Sequence, residues 1–212
     1  MPDQIAAPAQ RKDCPMPQDI NRRLLLAGAA AAALPANAKP LLRVDGERLR
    51  ANLEGLSRFG RPAGGTFADG VSRTAYSDAD IAGRAFAMGL MRDAGLNPVI
   101  DAAGNIIGKR AGTQAGAKPI IIGSHIDSVR AGGNFDGDVG SMAALEVLRT
   151  LDDHKIKTRH PVEMAIWSNE EGGTVGSTAF AGRLGPGALD NVYYGITLRE
   201  GLKRIGGDPE RL

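Results

Sequence analysis

The sequence predicts an α/β fold in which helices flank a mostly parallel sheet. Two continuous apolar runs, in residues 118–125 and 162–167, are typical of strands buried in a sheet. Between them, apolar residues from Met142 to Leu151 recur at helical spacing. Strand, helix and strand in this order form a βαβ unit, whose two strands run parallel. We therefore expect ligands to gather at the carboxyl ends of these strands.

Two helices and a hairpin precede this unit. Residues 45–59 carry apolar side chains at helical spacing, and a second helix is predicted from an N-cap at Ser77 to a stop at Gly95. Residues 97–101 and 106–110 are short apolar runs on either side of Ala-Gly-Asn, which is typical of a hairpin turn. No internal repeat is present in the sequence. We expect residues 39–212 to form one domain.

Residues 1–38 have the composition of an export leader. A polar stretch ends in Arg22 and Arg23, an apolar run covers Leu24–Leu34, and Ala36-Asn37-Ala38 offers small residues for cleavage. The paired arginines suggest a twin-arginine signal and a periplasmic location. An alanine-rich helix packed on the domain, or a membrane anchor, are the alternatives. The apolar run is shorter than the roughly 20 residues that a bilayer span needs, so no membrane contact is expected after cleavage.

Charge and cysteine content limit the partners and the metal ligands that are expected. The 26 basic and 24 acidic residues nearly cancel. This balance argues against a nucleic-acid partner, which needs a concentrated positive field. The single cysteine, Cys14, lies in the predicted leader, so any metal in the domain must be held by histidine and carboxylates.

Polar side chains follow both strands of the βαβ unit. His125 and Asp127 leave the first strand, Asp136 lies in the glycine-rich loop after them, and Glu170 and Glu171 leave the second strand. A metal-dependent hydrolase needs imidazole and carboxylate ligands and a separate base for its water. Asp127 is placed to orient the His125 ring. Of the two adjacent glutamates, one can bind the metal and the other can take the proton of the water. Taken singly, each has a plainer interpretation as a hydrogen-bonded histidine, a turn aspartate or a surface glutamate pair.

The same residues carry a resemblance to a known family. Residues 123–129 read Gly-Ser-His-Ile-Asp-Ser-Val, residues 132–137 read Gly-Gly-Asn-Phe-Asp-Gly, and residues 169–172 read Asn-Glu-Glu-Gly. These motifs resemble the M20 amidohydrolases, in the branch of N-carbamoyl-L-amino-acid hydrolase, allantoate amidohydrolase and β-ureidopropionase. The short gap from His125 to Asp136 favours this branch over the peptidases and acylases. Residues 70–77, 101–105 and 195–198 extend the similarity over nearly all of the chain after the leader.

The resemblance implies a site with two divalent metal ions, zinc or manganese. It makes His125 a ligand of one ion, Asp136 the bridging carboxylate and Glu171 a ligand of the other. Asp127 orients His125, and Glu170 is the general base that takes a proton from the shared water. The implied reaction is hydrolysis of a carbon–nitrogen bond in an N-carbamoyl amino acid, allantoate or a related small ureido or amide substrate. The resemblance also implies a cis peptide bond after Asp136.

Two departures from the family pattern affect the expected activity. The loop after Gly172 is shorter than usual, since Gly173-Thr174-Val175 leads directly to Gly176. The family also continues beyond a point equivalent to Leu212 into a further histidine ligand, a lid and dimerisation domain, and a last histidine. The sequence therefore predicts a partial catalytic domain, with the lid and C-terminal part absent, that is weakly active or inactive alone. An M20 peptidase or aminoacylase, or a non-catalytic fragment, are the alternatives.

Overall fold

The computed structural model describes residues 41–212. The predicted leader, residues 1–38, and its boundary with the domain lie outside the described residues. The elements, in chain order, are α1 (Gly46–Leu56), α2 (Asp78–Asp93), β1 (Val99–Ile100), β2 (Ile106–Arg110), β3 (Ile120–His125), α3 (Asp138–Asp153), β4 (Val162–Trp167), α4 (Val175–Phe180), β5 (Val192–Tyr193), β6 (Ile196–Thr197) and α5 (Leu198–Arg204).

The α/β class is confirmed, and β3, α3 and β4 form the expected βαβ unit with β3 and β4 parallel. The sheet has the order β1-β2-β4-β3, and its other two pairings are antiparallel. It is therefore a mixed sheet, in contrast to the mostly parallel one expected. The reason is the tight turn after β1, which forces β2 to run back along it before β2 pairs with β4.

Strand β3 lies at one edge of this sheet. Ile120 is 52% exposed and Ile121 is 39% exposed, although their apolar run predicted burial on both faces. A run of isoleucines indicates a strand, but it does not indicate how many neighbours the strand has. The inner face of the unit is covered by α3, whose Met142, Leu145 and Leu148 are buried.

The helices that precede the sheet begin where the sequence predicts. Asp45 caps α1, and Ser77 caps α2 by accepting a hydrogen bond from the Asp80 backbone at 3.2 Å. Gly95, just beyond α2, has a φ of +73°, the left-handed conformation that ends helices. Both helices pack against the α3 side of the sheet. The core between them contains Leu53, Leu56, Ala87, Met91, Ile106, Met142, Leu145, Met164 and Ile166.

The segment after β4 builds a second, smaller apolar cluster. Helix α5 begins with a capping box, in which the Thr197 and Glu200 side chains each bond the other's backbone N–H. Leu198 and Leu202 of α5 pack with Val175 of α4 and with Tyr76. No helix in residues 41–212 is long and apolar enough to cross a membrane.

Candidate active site

The predicted site residues leave one edge of the sheet. His125 is the last residue of β3 and lies opposite Trp167, the last residue of β4. Because the two strands are parallel and end in register, the segments that follow them emerge side by side. Asp127 and Glu170 therefore come close together, although 43 residues separate them in the chain.

The His125 ring is buried and its two nitrogens have different surroundings. Nδ1 lies 3.0 Å from the backbone carbonyl oxygen of Asp127. A carbonyl oxygen can only accept, so this contact assigns the proton of the neutral ring to Nδ1. Nε2 then carries a free lone pair. It lies 3.8 Å from Oδ1 of Asp136 and 3.5 Å from Oε2 of Glu170. This is the arrangement of a metal-binding histidine, with one nitrogen held and the other presented to carboxylates.

His125, Asp127, Asp136, Glu170 and Glu171 form the rim of the sheet, and Asp127 organises it in a way that the sequence alone does not predict. Its backbone carbonyl, and not its carboxylate, makes the close contact with His125, since the nearer carboxylate oxygen is 3.7 Å from Nδ1. The carboxylate instead accepts hydrogen bonds from the backbone N–H groups of Glu170 and Glu171, at 3.2 Å each. Burial raises the pKa of Asp127, the charge of Asp80 raises it further, and the two N–H groups oppose the shift. Asp127 thus joins the ends of both strands.

The rim fits a divalent cation in the type of its donors but not in their number. Imidazole and carboxylate are the groups that hold such ions in hydrolases. The side-chain contacts join His125 to Asp136 and Glu170, whereas the described contact of Glu171 is made by its backbone. Across residues 41–212, no three histidine, cysteine or acidic residues are arranged to hold a metal ion together. The ligand set is therefore incomplete within the described part.

The peptide bond between Asp136 and Gly137 is trans, so the expected cis bond is wrong. Gly137 has a φ of +66°, which turns the chain into α3 without a cis bond. The exposed Asp136 carboxylate still approaches His125 in this geometry.

Comparison with known proteins identifies relatives of the whole region. The family model described as Peptidase family M28 matches residues 105–198. An N-carbamoyl-L-amino acid amidohydrolase from Geobacillus stearothermophilus is 40% identical over 175 residues, which are 80% of this chain and 42% of that protein. A ureidoglycolate hydrolase from Oryza sativa subsp. japonica is 32% identical, over 68% of this chain and 29% of that protein. The crystal structure of a hydantoinase/carbamoylase family amidase from Burkholderia ambifaria is 41% identical, with a TM-score of 0.72 over 78% of this chain and 41% of that one.

This chain is a relative of the N-carbamoyl-L-amino-acid amidohydrolases. The resemblance to the carbamoyl and ureido branch is thereby confirmed, and the relatives are named as hydrolases. The match to Peptidase family M28 covers less than half of the chain. The chain spans about two fifths of the length of the amidohydrolase relatives it matches.

Several buried charged residues behind the rim of this amidohydrolase relative were not predicted as site residues. Arg73 is fully buried, and its guanidinium lies 2.6 Å from Asp138, the first residue of α3. Burial raises the pKa of Asp138 to about 6, against the opposing charge of Arg73. Asp80 and Arg84 are also buried close to Asp127. The only signal in the sequence was the segment 70–77, which contains Arg73 and contributed to the resemblance as a motif without an assigned role.

A cavity of about 260 Å³ lies between the segment 74–78 and the region of β5, β6 and α5. Tyr76, Tyr194 and Ile196 line it, and the ion pair of Asp78 with Arg204 lies at its wall. Partial burial raises the pKa of Tyr194, and the negative charges of Asp127 and Glu171 raise it further.

Gly137→Ala should disturb the rim selectively. A Cβ at this position would lie 2.6 Å from Nε2 of His125, and φ there is positive, so the ring must move away from Asp136. We expect affinity for Co²⁺, measured by absorption titration, to fall at least about tenfold. Gly133→Ala in the same loop is the control, since its Cβ would meet nothing within 4 Å. Equal Co²⁺ affinity in the two variants would contradict the placement of His125 in the metal site.

Proposed function

We propose that this chain forms the metal-binding half of a hydrolase site for carbon–nitrogen bonds other than peptide bonds. The substrates proposed are N-carbamoyl amino acids and related ureido compounds such as allantoate and ureidoglycolate. The observation that supports this most directly is the His125 ring, held at Nδ1 and facing two carboxylates with Nε2. The names of the relatives supply the bond type.

The proposed roles come from the family resemblance, and the contacts of His125 with Asp136 and Glu170 support part of them. On that resemblance, His125, Asp136 and Glu171 would hold two divalent ions, zinc or manganese, with His125 and Glu171 as terminal ligands and Asp136 shared between the ions. Bound ions of this kind polarise the substrate carbonyl and lower the pKa of water. Glu170 accepts the proton of the attacking water, and its Oε2, at 3.5 Å from Nε2, is within reach of a water beside the ring. Asp127 holds the ring through its carbonyl and the backbone of both glutamates through its carboxylate.

A peptidase or aminoacylase activity is the second candidate. It is favoured by one observation, the match of residues 105–198 to Peptidase family M28. The two candidates share the proposed water-activating residues and differ in the acyl group, so dipeptides and N-acyl amino acids distinguish them from N-carbamoyl substrates.

Metal binding by the 212-residue chain tests the site independently of turnover. We expect Zn²⁺ or Co²⁺ to bind, and His125→Gln to weaken binding by at least about a hundredfold because it removes the one imidazole ligand. His154→Gln is the matched control, since His154 is exposed at the far end of α3. Loss of binding in both variants, or in neither, would reject His125 as the ligand.

We also propose export to the periplasm, on the composition of residues 1–38 alone. Removal of this segment leaves no cysteine in the mature chain, so export creates no unpaired thiol. We propose a homodimer on the resemblance alone. Mass spectrometry of the N-terminus of protein from the periplasmic fraction tests the leader, and an intact Met1 there would count against it.

A further inference from the structure

The Arg73 side chain is an unusually complete buried hydrogen-bond donor. It is 1% exposed, and each of its three nitrogens has at least one hydrogen-bond partner. The guanidinium donates from Nε to the Ile126 carbonyl at 2.5 Å, from Nη1 to the carbonyls of Leu56 at 3.1 Å and Phe59 at 2.8 Å, and from Nη2 to both carboxylate oxygens of Asp138 at 2.8 and 2.6 Å. One side chain therefore connects three separate segments.

Two of these segments carry predicted metal ligands. Ile126 stands between His125 and Asp127, and Asp138 is two residues after Asp136. The backbone of Arg73 adds to the first attachment. Its N–H donates to Ser128 Oγ at 2.9 Å, and its carbonyl accepts from the Ser128 N–H at 2.9 Å. The guanidinium therefore fixes the distance between the loop that carries His125 and the loop that carries Asp136.

We propose that Arg73, paired with Asp138, is a positioning residue that holds His125 and Asp136 face to face. This inference rests on the proposed function of the rim as a metal site. A buried ion pair contributes little net stability over apolar residues of the same size, because both charges lose their hydration. What an apolar pair cannot do is to hold three carbonyls and a carboxylate at defined angles. The planar guanidinium does this, and the single ammonium of lysine has neither the fork nor the five donors.

A second ion pair in the chain provides a matched control. Arg48 of α1 forms a bidentate pair with Glu146 of α3, at 2.8 Å for each contact, and the Glu146 side chain is fully buried. This pair also joins an early segment to α3. Glu146 lies eight residues beyond Asp138 in α3, which is about 12 Å along the helix axis at 1.5 Å per residue. Its loss should affect stability and leave the rim in place.

The experiment compares Arg73→Lys and Asp138→Asn with Arg48→Lys in the 212-residue chain. The first readout is the Co²⁺ titration with its absorption spectrum, and the second is the ¹⁵N spectrum of the His125 ring in the metal-free chain. We expect both rim variants to weaken Co²⁺ binding at least about tenfold. We also expect them to replace the single Nδ1–H tautomer of His125 with a mixture. Arg48→Lys should change Co²⁺ affinity by less than twofold and keep the tautomer, even where it lowers the unfolding temperature.

The outcomes separate the two proposals. If the wild-type chain binds no Co²⁺, the proposed function fails, and the His125 tautomer alone decides whether Arg73 positions the ring. If Co²⁺ binds and both rim variants keep wild-type affinity and tautomer, the positioning role is overturned. If Arg48→Lys disturbs the ring as much as Arg73→Lys, the effect is one of general stability and the role is again rejected. Should Arg73→Lys fail to fold, Asp138→Asn decides, since it keeps the shape of the side chain.

Discussion

The 212-residue chain, supplied with zinc or manganese, should hydrolyse N-carbamoyl amino acids at least about a hundredfold more slowly than the Geobacillus relative. Besides the bridging Asp136, the proposed site offers one terminal ligand to each ion, His125 or Glu171. The described residues form no closed ligand set. Metal affinity and the alignment of water with substrate depend on several preorganised groups, and misplacement by about 1 Å can cost a hundredfold in rate. Steady-state rates on N-carbamoyl amino acids, allantoate, ureidoglycolate and dipeptides measure this.

The control for that measurement is Glu170→Gln, which retains the shape of the proposed base but cannot take a proton. Any residual hydrolysis by the wild-type chain should disappear in this variant. If the wild-type rate is close to that of the relative and is lost in Glu170→Gln, the site residues of this chain are sufficient for catalysis. Faster cleavage of dipeptides than of N-carbamoyl substrates would favour the peptidase alternative.

The second large effect is expected for Gly123→Ala, which should abolish stable folding. Gly123 lies inside β3, two residues before His125, with a φ of +143° that side chains rarely adopt. A Cβ there would lie 2.9 Å from the carbonyl carbon of Ala165 in β4 and closer still to its oxygen. Neither backbone can yield without breaking the parallel β3–β4 pairing. We expect a loss of at least about 4 kcal/mol in the free energy of unfolding, measured with urea, or no soluble protein.

Gly89→Ala is the matched control for this variant. Gly89 lies in α2, its Cβ would meet nothing within 4 Å, and alanine is the better helix former. We expect it to raise the free energy of unfolding by up to about 1 kcal/mol. A Gly123→Ala chain that unfolds at the same urea concentration as wild type would show that β3 is not paired with β4 as described.

Much of the fold follows from local patterns in the sequence. The run Val162–Trp167 is the whole of β4, and the cap at Ser77 begins α2. Such features are local, because helical spacing and capping depend on residues within a few positions of one another. The capping box of Thr197 and Glu200 is equally local and marks the start of α5. The convergence of His125 and Glu170 was predictable too, since two parallel strands in one βαβ unit end at the same edge.

Other features depend on which distant segments pack together. The insertion of β2 beside β4, and the edge position of β3, depend on pairings that no local pattern specifies. The same holds for Arg73, which is 65 residues from Asp138 and carries no local mark of burial. Sequence spacing suggested that the Asp127 carboxylate holds the His125 ring, whereas the packed loop uses the carbonyl and turns the carboxylate to the next strand end.

Local sequence patterns therefore predict the elements from α1 to β4, the edge of the sheet at which polar residues collect and the chemical type of the expected ligands. The partners of each group depend on tertiary packing, which places a buried arginine behind the rim and a backbone carbonyl on the imidazole, and which leaves the ligand set of His125, Asp136 and Glu171 incomplete in the described residues. The physical reason is range. Periodicity and capping act over a few residues, whereas the placement of a charge in the interior depends on the summed packing of segments far apart in the chain.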